Sequence, residues 1–101
     1  MKKKWLLLSL IGFLVSCSKQ ESMDALTARV FTVAEQQYLT MDTRLESTTL
    51  PQSIAPDSTF KSSTIYWWCS GFYPGSLWYI YEYTQNEAVK TLAEKNTLKL
   101  D

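Results

Sequence analysis

The chain has 101 residues, and its ten basic and ten acidic side chains give a formal net charge of zero at pH 7. Residues 1–16 contain three of the lysines and no acid, so the rest of the chain has seven basic and ten acidic side chains. This mildly acidic balance offers no electrostatic footprint for nucleic acid, and we expect no nucleic-acid partner. The sequence contains no histidine, which excludes His-based catalytic triads and His-containing metal sites from these residues. We expect neither a metal nor a cofactor.

Residues 1–17 have the pattern of a bacterial export signal. Three lysines at positions 2–4 precede an apolar run of 11 residues, Trp5–Val15, which is too short to span a membrane comfortably. The run ends in Leu-Val-Ser-Cys at 14–17, which resembles a lipobox. We expect Cys17 to carry a lipid and the chain to be an exported, membrane-anchored lipoprotein of the periplasm or cell surface. An ordinary secretory signal with an incidental cysteine is the alternative.

The next residues predict a short polar tether at 18–22 followed by a first helix over 23–41. Ser22 is the expected N-cap. Apolar residues recur at steps of three and four, the spacing of one helix face. These residues are Leu26, Val30, Val33, Ala34, Tyr38 and Met41.

Residues 42–64 are rich in Ser, Thr, Asp and Pro, which predicts a long loop. After it, nine of the 14 aromatic residues lie between Tyr66 and Tyr83, and no charged residue lies between Lys61 and Glu82. A membrane-spanning helix is disfavoured because a proline flanked by glycines interrupts this stretch. A turn followed by a helix is the better interpretation.

Two further helices are predicted from their end signals. Pro74 suits the first turn of a helix ending near Thr84, and Asn86 suits the N-cap of the next one. The short link between them predicts an antiparallel hairpin. Its buried side chains are expected to be Leu77, Trp78, Ile80 and Tyr81 from one helix and Ala88, Val89, Leu92 and Ala93 from the other.

The aromatic stretch also resembles a known family. The segment WCSGFYPGSLWYIYEYT, followed by AVKTLAEK, is similar to the first block of the unsaturated glucuronyl hydrolases, glycoside hydrolase family 88. The similarity is good over residues 66–95 and loose over 24–101. Many family members have an Asp just before the first Trp of this block, whereas Trp67 stands there in this sequence.

The resemblance implies an all-α fold in which residues 23–101 form the first helices of an (α/α)6 six-hairpin barrel, incomplete in this chain. It implies a hydrolase that removes unsaturated uronic acid from lyase-generated oligosaccharides, by hydrating the C4–C5 double bond with the help of an aspartic acid. The family's two functional aspartates are expected beyond Asp101. We therefore expect this N-terminal fragment alone to be inactive, with no catalytic residue of its own.

Trp68 is the candidate substrate-binding residue, because sugar C–H faces stack on indole rings and the resemblance places a pocket wall here. The alternative is that Trp68 belongs to the barrel core, as we expect for most neighbouring rings, namely Trp67, Phe72, Tyr73 and Trp78. We interpret Cys69 as a buried small hydrophobe. The acids Asp24, Glu35, Asp42, Asp57 and Glu82 are interpreted as solvated surface charges.

Two other functions remain open. One is a small lipid-anchored lipoprotein that binds carbohydrate through its aromatic cluster without cleaving it. The other is a pseudogene product with no role. The DNA beyond the Asp101 codon distinguishes them from the enzyme, which requires a long α-helical open reading frame.

Overall fold

The computed structural model describes residues 20–101, so the predicted export signal and Cys17 lie outside the described part of the chain. A long helix comes first, followed by a β-hairpin and then a pair of helices that ends in one turn of 3-10 helix. The elements are α1 (Met23–Asp42), β1 (Leu50–Ile54), β2 (Phe60–Ser63), α2 (Phe72–Thr84), α3 (Glu87–Thr97) and the 3-10 helix Leu98–Leu100.

The all-α prediction is wrong, because a two-stranded antiparallel sheet occupies part of the predicted loop at 42–64. The described residues form a mixed α and β structure and show no barrel. The turn of the hairpin explains the error. Pro56 and Asp57 lie at the centre of a turn in which the Ser58 amide donates to Ala55 O at 2.8 Å, and Ser58 has a left-handed φ of 66°. Proline followed by Asp indicates a turn but does not by itself show whether the flanking residues pair as strands.

The register of the hairpin is irregular near its start. Leu50 pairs with Ser63 and Ile54 with Phe60, but the pairing shifts between Pro51 and Ser53. Proline cannot donate a ladder hydrogen bond, so its position beside an irregularity is expected. The hairpin nevertheless delivers Leu50, which is fully buried, to the core.

Helix α1 confirms the predicted first helix, but only part of the predicted apolar face points inward. The Ser22 hydroxyl accepts a hydrogen bond from the Ala25 amide at 3.2 Å, as expected of an N-cap. Val30 and Val33 are exposed, while Phe31 packs on Tyr83 with ring centroids 4.0 Å apart. The inward face runs through Phe31, Ala34, Tyr38, Leu39 and Met41.

Helices α2 and α3 form the predicted hairpin. Pro74 is buried in the first turn of α2, and Gln85 ends that helix in a left-handed conformation, with its amide donating to Tyr81 O at 2.8 Å. The Asn86 side chain then accepts from the Ala88 amide at 2.9 Å and caps α3. Across the hairpin, the Trp78 indole N–H donates to Thr97 Oγ1 at 3.0 Å. The predicted ends of both helices are therefore confirmed.

The hydrophobic core lies where the helical hairpin meets α1 and β1. The buried members are Leu50, Tyr73, Leu77, Ile80, Val89 and Ala93. Of the predicted hairpin contacts, Leu77, Ile80, Val89 and Ala93 are buried, whereas Trp78 is 38% exposed. The core therefore depends on α2 and α3, with α1 and β1 closing it from the other side.

A buried polar cluster joins the C-terminal ends of α1 and α3. Asp42 is only 7% exposed, and its carboxylate accepts hydrogen bonds of 2.8 Å from both Lys95 Nζ and Asn96 Nδ2. The interpretation of Asp42 as a solvated surface charge is therefore wrong. The sequence did not predict this cluster, because Asp42 lies more than 50 positions from both Lys95 and Asn96.

Asp42 and the nearby Lys99 both have shifted pKa values. Burial acts to raise the pKa of Asp42, but the hydrogen bonds from Lys95 and Asn96 and the nearby lysine charges bring it below its usual value. For Lys99, burial followed by repulsion from Lys95 lowers the pKa. Lys99 Nζ donates to the backbone oxygens of Glu46 and Thr49, which fixes the segment between α1 and β1.

Candidate functional site

A tight turn between β2 and α2 determines the direction of Trp68. Ser70 is buried, and its hydroxyl donates to Thr64 O at 2.8 Å. The Trp67 amide donates to the same oxygen at 3.2 Å, and the Ser70 amide donates to Trp67 O at 2.9 Å. These bonds fold the chain back on itself immediately before α2, so Trp68 lies at the outer side of the turn.

The aromatic residues around this turn are largely exposed. Trp68 is 83% exposed, and its ring meets the edge of Trp67 with centroids 6.2 Å apart. Phe72 and Tyr79 on α2 are also exposed. Of the rings predicted to form the barrel core, only Tyr73 is buried within the described residues. Trp68 is not part of the core of residues 20–101.

Two shallow grooves meet at Trp68 and Phe72. The first, which we call the Trp68 groove, has a volume of about 410 Å³. It is bordered by α1, β1 and the turn, with contributions from Tyr38, Pro51, Gln52, Trp67, Trp68 and Phe72. The second groove, of about 270 Å³, is also lined by Trp68 and reaches Tyr79. The indole therefore borders both grooves.

Tyr73 supports the Trp68 groove from below. Its ring stacks on Tyr38 with centroids 5.4 Å apart and an interplanar angle of 8°, and its hydroxyl donates to Tyr38 O at 3.3 Å. Burial, followed by the charge of Asp42, raises the pKa of Tyr73 well above the usual value for a phenol. Tyr73 therefore remains neutral and is not a proton-transfer group. Its ring forms part of the floor of the groove.

Cys69 also lines the Trp68 groove. It is a free thiol of intermediate burial, so it is less enclosed than the prediction of a buried hydrophobe implied.

The acidic residues near the aromatic region have separate environments. Glu82 is exposed, as predicted, although it borders an open groove of about 450 Å³ on α2. Asp24 and Asp57 are exposed as well. Glu35 is half-buried and accepts a 2.8 Å hydrogen bond from Asn86 Nδ2, so it connects α1 with the start of α3. Between residues 20 and 101, no group of three or more His, Cys, Asp or Glu side chains is arranged to hold a metal ion.

The sequence indicated Trp68 and the turn but not the opposite border of the groove. Tyr38 comes from the middle of α1, and Pro51 and Gln52 come from a strand that was not predicted. No spacing rule connects these positions to Trp68, so only the folded chain brings them together. The arrangement offers an exposed indole for stacking and the Gln52 amide for hydrogen bonding.

None of the helices within residues 20–101 is both long enough and apolar enough to cross a membrane. The uncharged aromatic stretch instead forms the turn and most of α2, the outcome favoured from its proline and glycines.

Sequence comparison finds a short local similarity to a curated enzyme. The chain is 52% identical over 31 residues to an unsaturated chondroitin disaccharide hydrolase of Streptococcus pneumoniae. The aligned residues make up 31% of this chain and 8% of that protein. No protein-family model matches the chain, and no solved structure matches it significantly. The similarity indicates a relationship to glycoside hydrolases and to carbohydrate degradation.

Proposed function

We propose that this chain is the N-terminal part of a glycoside hydrolase that removes unsaturated uronic acid from lyase-generated oligosaccharides. The observation that carries the proposal is the local identity of 52% with a hydrolase of unsaturated chondroitin disaccharide. The exposure of Trp68 adds to it, because an indole that is 83% exposed beside an open groove is available for stacking on a sugar.

In this proposal, residues 20–101 bind and orient the sugar and do not perform the proton transfer. Tyr73 and Tyr38 hold the base of the groove, the Ser70 turn presents Trp68, and Gln52 lies within the groove lining. The acids that hydrate the uronate double bond belong to the part of the enzyme that follows these residues. The acid that donates the proton must stay protonated at neutral pH, which requires an environment that excludes water or carries negative charge.

The binding role of Trp68 is tested by calorimetric titration of the whole chain with unsaturated chondroitin disaccharide. Because one aromatic stack contributes about 0.5–1.5 kcal/mol, Trp68→Ala weakens binding by about 3- to 10-fold. Tyr66→Ala is the matched control. Tyr66 is 91% exposed on the same turn but does not border the Trp68 groove. Equal affinity of Trp68→Ala and the unchanged chain would exclude the stacking role.

The catalytic part of the proposal is tested by following the ultraviolet absorbance of the unsaturated uronate. The 101-residue chain leaves this absorbance unchanged, and a longer product of the same reading frame with the following aspartates removes it. Loss of absorbance with the chain alone would contradict the assignment of the proton-transfer groups to another part of the enzyme.

The second candidate function is a lipid-anchored lipoprotein that binds carbohydrate without cleaving it. The exposed aromatic groove favours it to the same degree, because stacking requires no catalytic acid. The DNA that follows the Asp101 codon separates the two candidates. An open reading frame that continues into an α-helical domain with the two aspartates supports the enzyme, whereas a stop codon supports the binding protein.

A further inference from the structure

A fourth groove lies between the C-terminal half of α1 and the β-hairpin. We call it the Arg44 groove; its volume of about 720 Å³ exceeds that of the Trp68 groove. Such a volume falls within the range of small-molecule binding sites in proteins. No role was predicted for this region from the sequence, because the hairpin that forms one wall of the groove was predicted to be a loop.

One wall of this groove is mainly polar and the other is mainly apolar. Gln36, Gln37, Thr40 and Met41 line it from α1, Arg44 lines it from the turn that follows α1, and Ser53, Ile54 and Phe60 line it from the hairpin. Ile54 is 71% exposed, so its side chain is accessible to a ligand in the groove. This combination of amide and guanidinium groups facing apolar carbon matches a sugar, which has hydroxyl edges and C–H faces.

The guanidinium group of Arg44 makes no ion pair or hydrogen bond with any side chain among residues 20–101, and no carboxylate lines the groove. The side chains of Gln36 and Gln37 likewise make no hydrogen bond within this part of the chain, whereas Thr40 Oγ1 donates to Gln36 O at 2.8 Å and retains acceptor capacity. Arginine is always protonated and its planar fork matches a carboxylate or a sulfate. The groove is therefore complementary to an anionic ligand.

The Arg44 groove adjoins the Trp68 groove. Met41 lines both, and β1 contributes consecutive residues to them, with Pro51 and Gln52 in one and Ser53 and Ile54 in the other. The two grooves therefore border each other at Met41 and along β1.

We propose that the Arg44 groove binds an anionic sugar residue, bearing a carboxylate or a sulfate, next to the residue that stacks on Trp68. This inference rests on the proposed carbohydrate-binding function and adds to it a second binding position, separate from the stacking position at Trp68. Arg44 binds the anionic group, the two glutamine amides bind hydroxyl groups, and Phe60 and Ile54 cover the apolar side of the ring.

The test is calorimetric titration of the whole chain with a chondroitin sulfate tetrasaccharide. Three further ligands separate the sources of negative charge: a desulfated form, a carboxyl-reduced form that keeps its sulfates, and a neutral form without either group. Arg44→Gln removes the charge and retains hydrogen-bonding capacity. Arg29→Gln is the matched control, because Arg29 is an exposed arginine on α1 that pairs with Glu21 at 2.9 Å and lines neither groove.

Arg44→Gln weakens binding of the charged tetrasaccharide about tenfold, leaves binding of the neutral form unchanged, and reduces the salt dependence of the affinity. Arg29→Gln changes none of these. Equal affinity of Arg44→Gln and the unchanged chain for all charged ligands, or no binding of a charged tetrasaccharide to the unchanged chain, would overturn the proposal. Circular dichroism and Arg44→Lys, which keeps the charge, separate a folding defect from a loss of charge.

The same titrations distinguish this proposal from the one on Trp68. If Trp68→Ala abolishes stacking while Arg44→Gln has no effect, the Arg44 groove is excluded and the role of Trp68 stands. If Arg44→Gln weakens binding and Trp68→Ala does not, the anionic site stands and the stacking role fails.

Discussion

Asp42 Oδ1 accepts a hydrogen bond of 2.8 Å from Asn96 Nδ2, although the two residues are 54 positions apart in the chain. The bond is buried and joins the end of the first helix to the end of the last one. Lys95 donates to the other oxygen of the same carboxylate at 2.8 Å. This cluster closes the structure on the side opposite the link between α2 and α3.

Asp42→Asn is expected to destabilise the protein. The change removes the charge that Lys95 contacts and directs an amide group towards it, so the loss in the free energy of unfolding is about 1–3 kcal/mol. Urea unfolding followed by circular dichroism measures the difference. Asp24→Asn is the control, because Asp24 is exposed in the first turn of α1, and its expected effect is below about 0.5 kcal/mol. Equal effects of the two substitutions would contradict the role assigned to the cluster.

The contribution of Asp42 is expected to disappear in acid. Its pKa is lower in the folded protein than its usual value, so the carboxylate stabilises the fold fully above the unfolded pKa of about 3.9. The stabilisation is lost as the pH falls through the lower folded pKa. The free energy of unfolding therefore decreases below about pH 4 more steeply for the unchanged chain than for Asp42→Asn. Parallel curves for the two proteins would show that Asp42 has no shifted pKa.

Leu77→Ala tests whether the core lies at the helical hairpin. Leu77 lies on α2 and is fully buried in the core. Truncating a buried leucine lowers the free energy of unfolding by about 2–5 kcal/mol, because a cavity remains. Leu98→Ala is the matched control, since Leu98 is 69% exposed and its truncation is expected to cost less than about 1 kcal/mol. Thermal melting of both variants gives the comparison, and a larger loss for Leu98→Ala would place the core elsewhere.

Cys17→Ser tests the predicted lipid anchor, which concerns residues outside the described part of the chain. We expect radiolabelled palmitate to be incorporated into the unchanged chain in a bacterial host and not into Cys17→Ser, because the thiol is the attachment point. Cys69→Ser removes the other cysteine and is expected to retain the label. Label on Cys17→Ser, or none on the unchanged chain, would favour the ordinary secretory signal.

The helix ends could be predicted from the sequence, because each is determined by residues close to it in the chain. Ser22 and Asn86 cap the helices that they were expected to cap, and Pro74 lies in the first turn of α2. Each of these positions acts through a backbone group within a few residues. The strands were missed because the Ser- and Thr-rich segment satisfies loop and hairpin equally well, and only burial of Leu50 against the helices selects the hairpin.

The candidate site divides in the same way. The sequence could single out Trp68 as a candidate because the turn and the rings around it are contiguous, and a cluster of rings beside a proline and glycines limits the possible local structures; its role in substrate binding stays a prediction. The Trp68 groove, the Arg44 groove and the pairing of Asp42 with Asn96 were decided by tertiary structure alone. Each of them combines side chains from distant segments, and their proximity depends on how the amphipathic helices and the hairpin bury their apolar faces together.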